Sequence, residues 1–241
     1  MGPQSALPID HISAEPQSRI AIFDLDRTLT RRGTYSPFLI FAAKRLCPWR
    51  LAALPWVMLG MIGYKCKILS RSRLKELMQR AMMGATTDIN RLEPVVAAFV
   101  LRTLKAGIYP EAFTQIARER AVGSTIVIAS AAHHFYLEPL AIALGADHVI
   151  GTRSTIVAGR LSWQIAGQNC YGAEKRRRIS EFLHHADSAS GKAEICFYSD
   201  DLSDLPSFEL ADDRIAVNPS RSLKKLAMRN NWPIIDWKTG R

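Results

Sequence analysis

Four apolar residues, Ile20-Ala21-Ile22-Phe23, stop abruptly at two carboxylates, Asp24 and Asp26. A continuous apolar run of this length reads as a strand buried on both faces, which is the habit of parallel sheets. Open α/β sheets hold their chemistry just beyond the carboxyl ends of such strands. The stretch therefore predicts a pair of acids at the mouth of a sheet, and the rest of the chain can be read around it.

Strand logic returns at Ser124 to Ser130, where an apolar run ends on a hydroxyl, and again at Ala193 to Tyr198, which leads into Ser199-Asp200-Asp201-Leu202-Ser203-Asp204. His148 to Ile150 and Arg214 to Val217 are shorter core strands, and Ile234 to Trp237 is a closing extended piece. Ser154 to Val157 and Arg160 to Trp163, joined by Ala158-Gly159, form a hairpin pattern. Helical spacing fills the gaps at His134 to Leu144, at Tyr171 to about His185 and at Ser222 to Arg229. Strands alternating with helices predict an α/β fold with a doubly wound parallel sheet. From Tyr35 to Arg118 no strand pattern occurs. The expectation is a core over residues 19–31 and 119–241, interrupted at residues 32–118 by an all-helical insertion. The proline-bearing start, residues 1–18, lacks the apolar centre of a secretion signal and reads as a disordered tail.

Chemistry concentrates where the strands end. Asp24 is a candidate nucleophile, because a carboxylate can take up a phosphoryl group covalently. Asp26 can protonate a leaving oxygen and later deprotonate water. Asp200 can share an oxygen-liganded cation with Asp24 and the main-chain carbonyl of Asp26. The Ser130 hydroxyl can hold phosphoryl oxygens, Lys175 can pair with both Asp24 and a phosphate, and Asp204 can orient the lysine. Taken singly, each has a plainer reading: the aspartates as helix or turn caps, Ser130 as an N-cap, Lys175 as a solvated charge. Their shared position at strand ends favours the chemical one. His133 and His134 read as structural, and Arg176 to Arg178 as a solvated helix face.

The sequence Asp24-x-Asp26-x-Thr28-Leu29-Thr30, followed in order by Ser130, Lys175 and Asp200, resembles the phosphoserine-phosphatase-like subgroup of the haloacid dehalogenase superfamily. The resemblance covers about Arg19 to Trp237. It implies that the insertion covers the active site. It also implies Mg²⁺-dependent phosphomonoester hydrolysis through an aspartyl-phosphate on Asp24, and the second aspartate favours phosphatase over dehalogenase. The closing Ala216-Val217-Asn218-Pro219 and Trp232 to Trp237 look like a branch that includes bacterial cell-division-linked proteins and phosphatidylglycerophosphate hydrolases. Three positions depart from the pattern. Arg27 stands where a small residue is commoner, Asp201 replaces a glycine or serine, and Gly33 occupies the place of the acid that holds the amine of phosphoserine. With Arg31 and Arg32 beside Gly33, the pocket mouth reads as built for anions, and Arg27, Arg31, Arg32, Ser130 and Lys175 become the expected substrate contacts.

Charge sharpens this. The net charge is +10, yet no Asp or Glu lies between Asp26 and Glu76, an interval with eleven Lys and Arg; the remaining chain is close to neutral. Inside that interval Leu51 to Tyr64 runs for fourteen uncharged residues, shorter than the ~20 needed to span a bilayer. Cations and aromatics flank it, as at an anionic lipid surface. An ordinary buried insertion core is the competing reading. Basic residues interleaved with aliphatic ones, without stacking aromatics, argue against nucleic acid. Four scattered cysteines suit a reduced, cytoplasmic protein that can sit peripherally at the inner membrane. The expected partner is a phosphorylated small molecule or lipid headgroup. A soluble phosphatase for a small anionic metabolite, or a phospho-ligand-binding regulator without turnover, are the alternatives.

Overall fold

The computed structural model describes residues 18–238, apart from the side chains of residues 187–190. The expected tail therefore lies, but for Ser18, outside the described residues. Six parallel strands make the main sheet, in the order β4 (His148–Thr152), β3 (Thr125–His133), β1 (Arg19–Phe23), β7 (Glu194–Ser199), β8 (Asp213–Val217) and β9 (Ile234–Ile235). The strand order reverses at β1, so β1 lies at the switch point between β3 and β7, the crevice where such sheets gather ligands. Its residues Ala21, Ile22 and Phe23 are wholly buried. Each large apolar side chain so buried contributes ~1.5–3 kcal/mol. Phe23 stacks on Tyr198 of the neighbouring strand with ring centroids 4.3 Å apart.

Helices cover both faces. On one side, α7 (Ala173–Ser190) and α8 (Arg221–Arg229) bury Ile179, Leu183, Leu223 and Ala227 against Ile20, Ile22 and Phe197. On the other, α5 (Pro110–Ala121) and α6 (His134–Ala143) pack with Phe23, Ile126 and Ile128. The expected insertion boundary at residue 118 falls inside α5, which packs against β3.

Between β1 and α5 stand α1 (Tyr35–Leu46), a 3₁₀ turn (Pro48–Ala53), α2 (Leu54–Lys65), α3 (Arg71–Met83) and α4 (Ile89–Ala106). Ser70 caps α3 by accepting from Arg73 N, and Gly84 ends it at φ 96°, a conformation that favours glycine. This segment is not purely helical as expected. Strand β2 (Thr86–Asp88) pairs antiparallel with β6 (Arg160–Ile165), which pairs in turn with β5 (Ser154–Val157). Three residues are too few to show a period of two, which is why the sequence hides them. The small sheet joins the insertion to the hairpin that follows β4.

Candidate active site

The turn after β1 aims the two acids. Asp24 N donates to Tyr198 O at 2.9 Å, continuing the ladder one residue past the strand. Arg27 then takes a left-handed backbone, φ 69°, which costs a non-glycine residue about 1 kcal/mol. Asn218 Nδ2 donates to the carbonyls of Arg27 and Thr28, both at 3.3 Å, and Thr30 N donates to Leu25 O at 3.0 Å, fixing the turn. Asp26 is thereby folded back over the strand end. Thr34 holds its Oδ1 through both N–H and hydroxyl, each at 2.8 Å, and Asp26 Oδ2 is left toward Gly33.

Lys175 is buried to 1 % exposure near the start of α7, where its Nζ lies 2.7 Å from Asp24 Oδ1 and 2.9 Å from Asp204 Oδ2. Burial alone would lower its pKa. The carboxylates of Asp204 and Asp24 outweigh that and raise it, so the amine stays a cation. Ser199 Oγ donates to Asp204 Oδ2 at 2.6 Å, and Thr28 Oγ1 donates to Asp24 Oδ2 at 3.2 Å. Asp200 has no side-chain hydrogen bond or ion pair to any described residue. Burial, then repulsion from Asp24, Asp201 and Asp204, pushes it up to about 8. Its main-chain carbonyl accepts from Ser220 N at 2.7 Å. Asp201, to which the sequence assigns no role, accepts from Ser203 N at 3.0 Å and caps the turn Leu202–Asp204.

Ser130 does not end its strand as expected. β3 continues to His133 with a register shift after Ala129, and the Ser130 hydroxyl accepts from Ala132 N at 3.2 Å inside that irregular stretch. A break in the ladder can free a buried hydroxyl from strand pairing as a strand end does. Asp24, Asp26, Arg27, Ser130, Lys175, Asp200 and Asp204 line one pocket of about 230 Å³. Gly33 and Asp201 line it too.

Arg31 and Arg32 do not. Arg31 N donates to Gly107 O at 2.7 Å and its guanidinium stacks over Tyr109 at 4.9 Å. Both arginines border a separate groove with Phe99 and Arg102. Beside Arg27, positive charge comes from Arg71 on α3, which lines the pocket and lies 3.8 Å over the Tyr171 ring. One turn on, buried Lys75 donates to Ala131 O at 2.6 Å and Asn169 Oδ1 at 2.8 Å, tying the insertion to β3 beside Ser130 and to the segment at Asn169. Burial and the nearby Arg71 bring its pKa down to about 7. The absence of acids between Asp26 and Glu76 was legible in the sequence; which of the basic residues of α3 turn inward was not. Of the residues read as structural, His133 is fully buried against Ser154 Oγ. Arg178 is not simply solvated, since it binds Glu174 and the carbonyls of Gly151 and Gln168.

The donors suit a small hard cation. Asp24, Asp200 and the carbonyl of Asp26 offer oxygen alone, and among the described residues the buried Asp200 forms no ion pair. Among the described residues no group of three or more His, Cys, Asp or Glu side chains is arranged to hold a metal. Two carboxylates and one carbonyl would be the protein's whole share, which is the Mg²⁺ habit of keeping water and substrate phosphate as its other ligands.

The chain is similar to several known proteins. A protein of Mycobacterium tuberculosis described as a probable phosphatase is 31% identical over 64% of this chain and 53% of its own. The chain thus spans about half the length of that relative. A crystal structure of a Bordetella pertussis protein of unknown function superposes with TM-score 0.81 at 25% identity, covering 92% of this chain and 99% of that one. A phosphoserine phosphatase carrying an analogue of a phospho-aspartyl intermediate shares the fold, with TM-score 0.62 at 16% identity over 92% of this chain and 94% of that one. The haloacid dehalogenase-like hydrolase family matches residues 21–209, and the chain belongs to that family.

Proposed function

We propose that the protein is a Mg²⁺-dependent phosphomonoester hydrolase that works through an aspartyl-phosphate on Asp24. The observation that supports this best is the convergence of Asp24, Asp26, Ser130, Lys175 and Asp200 on one pocket of about 230 Å³. In the first step an Asp24 oxygen bonds to phosphorus as the bond to the leaving oxygen breaks, and Asp26 delivers a proton to that oxygen. In the second, Asp26 takes a proton from water as the water oxygen displaces Asp24 and frees phosphate. Lys175 neutralises Asp24 and a phosphoryl oxygen, while Ser130 donates to another. Asp24, Asp200 and the Asp26 carbonyl would hold the Mg²⁺, which supplies neutralisation of the phosphate dianion when bound.

The substrate reading is an anionic phosphomonoester. Arg27 and Arg71 line the pocket, and Gly33 brings no carboxylate to bind an amine. A phosphorylated lipid headgroup such as phosphatidylglycerophosphate is the first candidate, ahead of small anionic metabolites and of ligand binding without turnover. Phosphate release from phosphatidylglycerophosphate, phosphoserine and a panel of anionic sugar phosphates, with and without Mg²⁺, tests both levels. Turnover restricted to phosphoserine would contradict the substrate reading, and no turnover of any ester would contradict the enzyme.

A further inference from the structure

Helix α2, Leu-Pro-Trp-Val-Met-Leu-Gly-Met-Ile-Gly-Tyr-Lys, is apolar on every side, yet among its residues only Val57 is buried. A helix apolar all round belongs inside a core or against lipid. This one lies at the surface: Trp56 is 73 % exposed, and Met58, Leu59 and Ile62 are exposed beside it. Trp49, 70 % exposed, and Ile68, 78 %, extend the apolar surface at either end. Single exposed hydrophobics need no explanation, but a continuous set of this size marks a contact surface. Among the described residues, no helix is long and apolar enough to cross a membrane.

The charges around α2 select the partner. Lys44, Arg45, Lys65, Lys67 and Arg71 are exposed before and after it in the chain, and no acid lies between Asp26 and Glu76, which pairs with Arg73 at 3.4 Å. A second copy of the chain would bring the same positive surface against itself. An apolar layer bordered by a sheet of negative charge is what satisfies both features, and one leaflet of an anionic bilayer has that structure. We propose that α2 lies in the plane of an anionic membrane surface, with Trp49 and Trp56 among the headgroups and Met58, Leu59 and Ile62 at the acyl boundary. This goes beyond the chemistry at Asp24 and does not depend on it.

The test is flotation of the full chain with vesicles of phosphatidylcholine, with and without phosphatidylglycerol. Binding is expected with the anionic vesicles at low salt, weakening as salt rises, with a blue shift of tryptophan emission. The exposed triple variant Trp56→Gln/Leu59→Gln/Ile62→Gln should bind roughly 100-fold more weakly. Lys65→Glu/Lys67→Glu, which leaves the apolar residues in place, should also lose binding, and circular dichroism of both should match the parent. Phosphate release from a soluble ester should be unchanged in both, which keeps this test separate from that of the active site. Failure to float with anionic vesicles at low salt would overturn the proposal, as would equal binding by the triple variant. A dimer in sedimentation that the triple variant dissolves would also overturn it, by assigning the surface to a second copy.

Discussion

The ammonium of Lys175 lies 2.7 Å from Asp24 Oδ1, although 151 positions separate the two residues, and both are almost wholly buried. A pair so enclosed holds three parts of the fold in register: the end of β1, the start of α7 and, through Asp204, the turn after β7. Lys175→Met keeps the bulk but leaves two buried carboxylates without their cation. The expected loss is ~3–5 kcal/mol of unfolding free energy, with a fall in turnover of roughly 100-fold or more in whatever remains folded. Denaturant unfolding and steady-state phosphate release measure the two separately. Unchanged stability would mean that the ion pair is not enclosed as described.

Asp26 is held by Thr34, whose N–H and hydroxyl both reach Oδ1 at 2.8 Å. Asp26→Asn should lower kcat by about 10²–10⁴, the usual worth of a general acid-base group, while leaving the fold intact. Thr34→Val removes the hydroxyl donor but keeps the main-chain one. It should lower kcat by about tenfold with little change in KM, since it disturbs only the aim of the acid. An effect of Thr34→Val confined to KM would instead place Thr34 in substrate binding.

Outside the pocket lining, Glu119 receives hydrogen bonds from Tyr198, Ser124 Oγ at 2.7 Å and Arg19 Nε at 3.2 Å. Burial pushes its pKa up, but these donors outweigh it and hold the carboxyl below its ordinary value of 4.5. A depressed carboxyl stabilises the fold fully above its unfolded pKa and loses that contribution as pH falls through the folded one. Glu119→Gln should therefore lower Tm near neutral pH, with the gap to the parent narrowing as pH drops below about 4.5. Thermal melts across that range check it; a gap that widens in acid would reverse the sign.

Much of this site was legible because its chemistry sits where apolar strands stop. Asp24 and Asp200 end runs that only a buried parallel strand explains, and Lys175 follows at the head of a helix, so all three could be placed from the sequence. Arg31 and Arg32 were misplaced because sequence proximity to Asp26 says nothing of the bridge between Thr30 and Ile108, which draws the chain away from the pocket. Arg71 and Lys75 were missed for the complementary reason. They lie 45 residues or more beyond Asp26, on a helix whose rotation toward the core depends on Gln79 Nε2 bonding Ser162 O and on Ile165 N bonding Glu76 Oε1. Such long-range contacts leave no periodic trace. The exposed face of α2 was half legible: its apolar run was plain, but a buried core and a bare surface give the same letters.

The central claim is that Asp24 carries the phosphoryl group. Rapid acid quench of the enzyme during turnover of a ³²P-labelled monoester with Mg²⁺ tests it directly. The account predicts protein-bound label that hydroxylamine releases, absent from Asp24→Asn and absent when Mg²⁺ is chelated. Label that persists in Asp24→Asn, or turnover by that variant at the parent rate, would contradict it.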